Sequence, residues 1–305
     1  MSQTSGTVAA ATPTSETRRK KSAARFDPNP AKAGWLTKLV LVIICLLWFV
    51  PIFGTLVTSF RTVQAADSSG WWTFLGSLDE LTLDNYRRAL QGSDMGAGLI
   101  NSFAISLPAT FIPLLVAAFA AYAFTFMHFP GRDFLFLAIV SLLVVPNYVA
   151  FVPMLQIYSR FDMNGTFPAV WLAHIGFGMS LAIYILRNYM ATLPLTVIES
   201  AKIDGASHFQ TFWRLVLPMS VPALAGFAIF QFLWVWNDLL VALMFIGPGD
   251  NAPVTQKLSE LKGQFGQGAN LTTAGAFITM LVPVAVFLFL QRYFVRGLTA
   301  GAVKG

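Results

Sequence analysis

Six long apolar runs dominate the pattern of hydrophobic and polar positions along the chain. They lie at Leu39–Phe60, Leu99–Met127, Phe134–Tyr158, Phe167–Leu186, Pro222–Ile246 and Leu271–Leu290. A helix needs about 20 apolar residues to cross a hydrocarbon core of ~30 Å. The pattern therefore predicts an all-α fold, a polytopic membrane bundle of six transmembrane helices. Prolines inside these runs predict kinks, at Pro51, Pro108, Pro113, Pro146, Pro153 and Pro283.

The longest polar interruption in the C-terminal half is Pro194–Pro222, which predicts a helix, a bend and a second helix. Thr196 is followed three residues later by Glu199, the spacing of a capping box, so Thr196 is the predicted N-cap of the first helix. Gly205 interrupts the helical pattern and predicts the bend.

The second predicted helix of this interruption begins at the capping residue Ser207 and ends at Leu217, before Pro218. Its apolar side chains recur at spacings of three and four, which predicts one apolar face: Phe209, Phe212, Trp213 and Val216. Such a helix would lie along a membrane surface or press into a partner protein.

Composition supports a membrane protein, because 56% of the residues are hydrophobic and only 11% are charged, against about 25% charged in soluble domains. The single cysteine, Cys45, excludes a disulfide framework. No GxxxxGK[ST] motif occurs, so this chain is not expected to bind ATP itself. The three histidines are far apart in sequence, and we expect no metal site, no catalytic residue and no enzymatic activity in this chain.

The distribution of Lys and Arg predicts the orientation in the membrane. With the N-terminus inside, fourteen of the twenty basic residues lie in the inner segments and six in the outer ones. This arrangement places both termini and the loop around Glu199 in the cytoplasm. Residues 1–35, which contain the basic run Arg18–Lys21, are expected to be a disordered cytoplasmic tail.

Two outer loops differ in character. The loop 61–98 carries Trp71 and Trp72, which are candidates to anchor at the membrane interface. As a whole this loop is either solvated or a contact with an extracytoplasmic binding protein. The loop 247–270 is Gly-rich and polar, and it is either a solvated connection or a contact with an extracytoplasmic binding protein.

The interruption also carries a signature that resembles the EAA loop of the permease subunits of bacterial binding-protein-dependent ABC importers. The matching positions are Glu199, Ser200, Ala201, Gly205, Leu215, Leu217 and Pro218. Ser200 replaces the family's first alanine and Leu215 replaces its isoleucine, while the spacing is intact. The resemblance implies the type I ABC importer permease fold, in which this loop forms coupling helices that dock into a cleft of the ATPase.

Two further segments narrow the resemblance to carbohydrate permeases of the maltose type. The fifth apolar run contains QFLWVWNDLLVAL, and the chain ends in RYFVRGLTAGAVKG, similar to the family's GLTAGGVKG ending with Ala302 in place of a glycine. LTLDNYRRAL in the first outer loop is also similar to the family. The resemblance covers 36–305 as one six-helix permease domain, with a coupling loop at 194–222 and a cytoplasmic C-terminal tail at 291–305.

The resemblance implies an assembly of this chain with a homologous second permease subunit, two ATPase subunits and an extracytoplasmic sugar-binding protein in a lipid bilayer. ATP and Mg²⁺ would be bound by the ATPase, the substrate would be a di- or oligosaccharide, and no nucleic acid is expected. The residues implied to meet the ATPase in the loop are Glu199, Ser200, Ala201, Asp204, Gly205, Phe209, Leu215, Leu217 and Pro218. The implied contacts of the tail are Gly297, Leu298, Thr299, Gly301 and Lys304.

Several alternatives stay open on the sequence. Glu199 either pairs with a basic residue of the ATPase or only caps its own helix. Four residues of the fifth run are candidates for the sugar path: Trp234, Trp236, Asn237 and Asp238. The last two could instead tie this run to a neighbouring helix. Two other functions remain as alternatives, an importer for another solute and a self-contained secondary transporter. The scarcity of ionisable residues in the apolar runs argues against the secondary transporter.

Overall fold

The computed structural model describes residues 34–261 and 268–302, with side chains in the last helix described as far as residue 291. The predicted disordered tail therefore lies outside the described residues except for its last two positions, and so does Lys304. The α-helices are, in order, α1 Trp35–Phe60, α2 Val63–Ser68, α3 Asp84–Arg87, α4 Met95–Phe126, α5 Arg132–Ser141, α6 Phe151–Arg160, α7 Phe167–Met190, α8 Leu195–Ile203, α9 His208–Thr211, α10 Leu217–Met219, α11 Val221–Asn237, α12 Leu240–Phe245, α13 Val254–Glu260 and α14 Ala269–Ala302.

Short irregular helices complete the backbone. Four are 3₁₀-helices, at Trp71–Gly76, Leu78–Glu80, Leu142–Val144 and Asn147–Ala150, and two are π-helices, at Arg88–Gly92 and Phe212–Val216. Among the described residues the only β-pairing is one isolated antiparallel bridge between Arg61 and Leu81. The prediction of an all-α protein is confirmed.

The chain forms two compact units, Met1–Pro51 and Ile52–Gly305. In the described part of the first unit the chain is helical from Trp35 onward, and its side chains are exposed. An apolar helix with exposed side chains is typical of a segment that lies in lipid.

Four helices are long and apolar enough to cross a membrane unbroken: α1, α4, α7 and α14 over Ala269–Gln291. Two bent helix pairs raise the number of possible spans to six, in agreement with the predicted six. The third predicted span is bent at Pro146, as the sequence predicts, and the bend is sharp, because the segments 132–144 and 147–160 meet at 95°. Val145 is extended there, the conformation that a following proline, here Pro146, imposes on the residue before it.

The fifth predicted span is also interrupted. Helix α11 ends at Asn237 and α12 begins at Leu240. A separate bend of 72°, between the segments 208–219 and 221–237, lies just before this span. The other predicted kink sites do not break their helices: Pro51 lies inside α1, Pro108 and Pro113 inside α4, Pro153 inside α6 and Pro283 inside α14.

The core of the second unit forms where α4 and α7 pack together, with α11 against both. Small fully buried residues line this contact, among them Ala117, Ala121 and Ala182. Small side chains let helix backbones approach closely, which is how membrane helices associate without a hydrophobic driving force.

Gln231 of α11 fixes the junction of these three helices. Its buried amide donates to the backbone oxygens of Ala109 in α4, at 3.2 Å, and of His174 in α7, at 3.3 Å. A Cβ on Gly178 would lie 2.7 Å from the Gln231 amide, so a larger residue at this position would displace the Gln231 side chain.

Candidate functional site

The first helix of the candidate coupling loop is α8, and it begins earlier than the sequence predicts. Pro194 is its N-cap, without a side-chain cap, so the prediction that Thr196 caps this helix is wrong. Proline pre-sets the backbone for a helix start, which moves Thr196 into the first turn. Glu199 is exposed, and its side chain makes no hydrogen bond or ion pair with any described residue. Its carboxylate is therefore available to a partner.

The bend after α8 is a Schellman motif centred on Gly205. The amide of Ala206 donates to the oxygen of Ala201 at 2.9 Å, and the amide of Gly205 donates to Lys202 at 3.1 Å. Gly205 has φ +77°, and no atom lies near the position of an added Cβ. This confirms the predicted bend, and it shows that glycine is required by the backbone conformation and not by crowding.

The second helix begins as predicted at Ser207. The Ser207 hydroxyl accepts from the amide of Gln210 at 3.3 Å, and the Gln210 side-chain oxygen accepts from the amide of Ser207 at 2.9 Å, a full capping box. The predicted end at Leu217 is wrong, because the chain stays helical to Met219. A π-turn over Phe212–Val216 precedes Pro218, and the wider turn accommodates a ring that would clash with a regular helix.

The predicted single apolar face of this helix is divided into two. Phe212 and Val216 are buried, whereas Phe209 is 67% exposed and Trp213 is 39% exposed. The exposed pair lies with rings 6.0 Å apart. Ile203, at the end of α8, is 86% exposed and was not singled out by the sequence patterns.

The buried side of the loop is anchored to α4. The Phe212 ring stacks on Phe119 with centroids 4.4 Å apart, and the Tyr122 hydroxyl is 3.0 Å from Nδ1 of His208. Tyr122 is 4% exposed. This hydrogen bond was not predictable from the sequence, since its two residues are 86 positions apart and belong to different elements.

The remaining coupling candidates differ in exposure. Ser200, Asp204 and Pro218 are exposed, whereas Ala201, Leu215 and Leu217 are partly buried. The structure thus brings the predicted loop residues together on one helical hairpin, with acidic and apolar side chains at its surface.

The four candidates for the sugar path do not share one surface. Trp236 is 1% exposed, and its indole donates to the oxygen of Thr279 at 3.2 Å in α14. Trp234 instead lines an apolar cavity of about 730 Å³ between the break at Pro146, α7 and α11, which Asn147 and Ser180 also line.

Asn237 and Asp238 stand at the break between α11 and α12. The Asn237 amide donates to its own helix at Leu233, and the side chain borders a separate cavity of about 390 Å³. A carboxylate oxygen of Asp238 accepts from the amide of Val241 at 2.7 Å, and its backbone oxygen accepts from the Thr255 hydroxyl at 3.0 Å. These contacts favour a structural role for Asp238 at the start of α12.

The C-terminal tail is helical where it is described. Helix α14 runs on to Ala302 and includes the backbone of Gly297, Leu298, Thr299 and Gly301. The apolar run ends at Leu290 in the sequence, so the helix continues past this run into the predicted tail 291–305.

Comparisons with known proteins identify the family of this chain. The family described as binding-protein-dependent transport system inner membrane component matches residues 113–300. The osmoprotective compounds uptake permease protein GgtD of Synechocystis sp. is 50% identical over 270 residues, covering 87% of this chain and 91% of the relative. The alpha-glucoside transport system permease protein AglG of Rhizobium meliloti is 53% identical over 230 residues, covering 73% of this chain and 60% of the relative.

A solved structure has the same fold. In the crystal structure of a bacterial ABC transporter that imports the acidic polysaccharide alginate, one chain matches with a TM-score of 0.67 and 19% identity, over 85% of this chain and 95% of that chain.

Proposed function

Because this chain belongs to the family of binding-protein-dependent transport system inner membrane components, we propose that it is a permease subunit of an ATP-driven importer whose substrate is an α-glucoside, a di- or oligosaccharide or a related glycoside. The alpha-glucoside named for the relative AglG supports this class of solute. In such an importer this chain does no covalent chemistry, and its work is to couple ATPase closure to the movement of membrane helices.

One observation carries the coupling role: the hairpin of α8 and α9, with the π-helix that follows α9, exposes Ile203, Phe209 and Trp213. We name these three side chains the coupling face. Burial of one such side chain in a partner's cleft stabilises a complex by about 1.5–3 kcal/mol. The exposed carboxylate of Glu199 in the same hairpin would pair with a basic residue of the ATPase, which binds the ATP and Mg²⁺.

The coupling face must then lie in the cytoplasm, as the Lys and Arg distribution predicts, together with both termini. In this arrangement a homologous second permease subunit shares the translocation path, and a sugar-binding protein delivers the substrate on the opposite side. The domain 36–305 acts as one permease unit in this proposal.

Within the proposed sugar path, Trp234 is the strongest of the four sequence candidates. An indole ring at the edge of a 730 Å³ cavity can stack on the apolar face of a sugar, and Asn147 and Ser180 offer polar groups to its hydroxyls. Trp236, Asn237 and Asp238 are directed elsewhere.

The test is uptake by the complete importer in proteoliposomes, after thermal-shift assays on its binding protein have identified the sugar. Ile203→Asn should weaken ATPase binding about tenfold to a hundredfold, the equivalent of 1.4–3 kcal/mol. Leu172→Asn, on the exposed surface of α7, is the control that should leave ATPase binding unchanged. Sugar uptake by this chain without ATP would overturn the proposal, as would normal ATPase binding by Ile203→Asn.

A further inference from the structure

The chain that follows α1 leaves the end of that helix and returns to it. Arg61 forms the β-bridge with Leu81, and the amide of Thr62 donates to the oxygen of Glu80 at 2.9 Å. The Arg61 guanidinium is 1% exposed, donates to the oxygen of Ser69 at 2.8 Å and lies 3.4 Å from the Glu80 carboxylate. Both ends of the segment 62–80 are therefore fixed at the end of α1.

The return side is held by a second set of buried hydrogen bonds. The Asn85 amide donates to the backbone oxygens of Ser59, at 2.9 Å, and of Arg61, at 2.8 Å, and its oxygen accepts from Asn270 of α14 at 2.7 Å. Hydrogen bonds therefore hold both the start and the end of the segment 62–80 to the end of α1.

Between these fixed ends the chain runs alongside α1, back from the end of that helix. The rings of Trp71 and Phe74 each pack edge-on against Phe53 with centroids 5.9 Å apart. A Cβ on Gly54 would lie 2.7 Å from the Trp71 indole nitrogen, so glycine permits this approach. Gly54 precedes Phe60 by six residues, or about 9 Å along a helix axis. Trp71–Gly76 therefore lies beside the last turns of a membrane-spanning helix and not beyond its end.

The side of this segment that faces away from α1 is apolar and exposed. Trp72 is 68% exposed, Leu75 is 74% exposed and Leu78 is 61% exposed. No charged residue occurs between Asp67 and Asp79. A Cβ on Gly70 would overlap the Trp72 ring, so the ring rests on the backbone of the loop. Tryptophan and leucine on one side of an uncharged segment are typical of elements that lie in the membrane interface.

We propose that Trp71–Leu78 is a lipid-contacting segment that dips into the membrane leaflet at which α1 ends. Its occupant is the lipid of the bilayer, because the surface continues directly from a membrane-spanning helix and lies at the depth of that helix's last turns. The two tryptophans of this segment have different surroundings. Trp71 packs on α1, whereas Trp72 faces lipid together with Leu75.

The test uses site-directed spin labels on the full chain, purified in its native assembly and placed in lipid nanodiscs. In a Cys45→Ser background, Trp72→Cys and Leu75→Cys are compared with Asp67→Cys. Asp67 is an exposed polar residue near the start of the same segment 62–80. Labels at 72 and 75 should collide more with oxygen, which partitions into lipid, than with a water-soluble nickel chelate. The label at 67 should show the reverse order.

Two results would overturn the proposal. Nickel accessibility at 75 equal to that at 67 would make the segment a solvated loop. Shielding of 75 from both reagents would mean that another protein covers it. Leu75→Cys leaves both tryptophans in place, so it decides the question alone if Trp72→Cys does not assemble.

Discussion

Gly205 shows how one residue sets the shape of the coupling hairpin. Its backbone is left-handed, and both bonds of the Schellman motif depend on that conformation. Since an added Cβ would meet open space, the cost of any other residue comes from the backbone, about 1–2 kcal/mol.

We predict that Gly205→Ala lowers the free energy of unfolding of the hairpin by about 1 kcal/mol and reduces ATP-driven uptake, and that Gly205→Val does so more strongly. Gly226→Ala is the matched control, because Gly226 also has open space around it but lies inside α11. There alanine should be neutral or slightly stabilising. Normal uptake with Gly205→Val at normal expression would remove the bend from the coupling mechanism.

The features of the hairpin that depend on neighbouring residues in the chain were predictable from sequence. The bend at Gly205 and the cap at Ser207 are of this kind, because a glycine conformation and a capping box need only a few adjacent residues. The exposure of Phe209 and the burial of Phe212 were not predictable, since spacing defines a helical face but not which part of it meets α4. Thr196 was misassigned because Pro194 also begins a helix, and the two signals lie two residues apart.

The hydrogen bond between Tyr122 and His208 offers a way to separate coupling from folding. We predict that Tyr122→Phe, which keeps the ring packed on Phe212 and removes only the hydroxyl, lowers the number of sugar molecules transported per ATP hydrolysed. The net value of such a bond is about 1 kcal/mol, so assembly should survive. Tyr184→Phe, at a partly exposed position of α7, is the control. An unchanged coupling ratio in Tyr122→Phe would show that the bond does not transmit movement.

Helices α11 and α12 show what interrupts an apolar run that looks continuous. The run from Pro222 to Ile246 contains no proline or glycine near Asp238, yet α11 ends there because the Asp238 carboxylate satisfies the amide of Val241 in the next helix. A side chain that competes with the backbone for hydrogen bonds ends one helix and begins another. The break at Pro146, by contrast, had a visible sequence signal, although sequence alone does not distinguish a kink from a 95° turn.

The capping geometry of Asp238 yields a test by substitution. Asp238→Asn should be tolerated, because asparagine offers the same acceptor, whereas Asp238→Ala should destabilise the assembled protein by about 0.5–2 kcal/mol. Thermal unfolding of the purified importer measures the stability, and the apparent affinity for sugar is measured in parallel. A loss of sugar affinity in Asp238→Asn with unchanged stability would return this residue to the sugar path.

The helices of the second unit define its two opposite ends. Helix α4 begins near α13, where a Cβ on Gly98 would lie 3.1 Å from Val254, and it ends at the coupling hairpin, where Tyr122 meets His208. The start of α14 lies at the same end as the lipid-contacting segment. Asn270 of α14 donates a hydrogen bond to Asn85, and Asn85 is hydrogen-bonded to the end of α1. The coupling face and that segment therefore lie at opposite ends of the helices in the second unit.

The length of α14 determines where the C-terminal tail emerges. The helix starts beside Asn85 and has 34 residues, so it is about 51 Å long, whereas the hydrocarbon core is about 30 Å thick. Its C-terminal turns must therefore project from the membrane at the end of the coupling hairpin. The contact between the tail and the ATPase that the GLTAGAVKG ending implied stays a prediction, and the helix reaches further than the sequence predicted.

We accordingly predict that a cysteine at Leu298 or Thr299 crosslinks to the ATPase subunit, and that deletion of residues 298–305 reduces ATPase assembly or uptake. Leu288→Cys, which is 57% exposed on the same helix and lies about 15 Å before Leu298 along its axis, is the control that should not crosslink, because it is still within the membrane. Crosslinking is measured in the assembled importer in the Cys45→Ser background. Wild-type uptake by the deletion variant together with no crosslink from either tail position would mean that the projecting end of α14 meets no ATPase, and coupling would then depend on the hairpin of α8 and α9 alone.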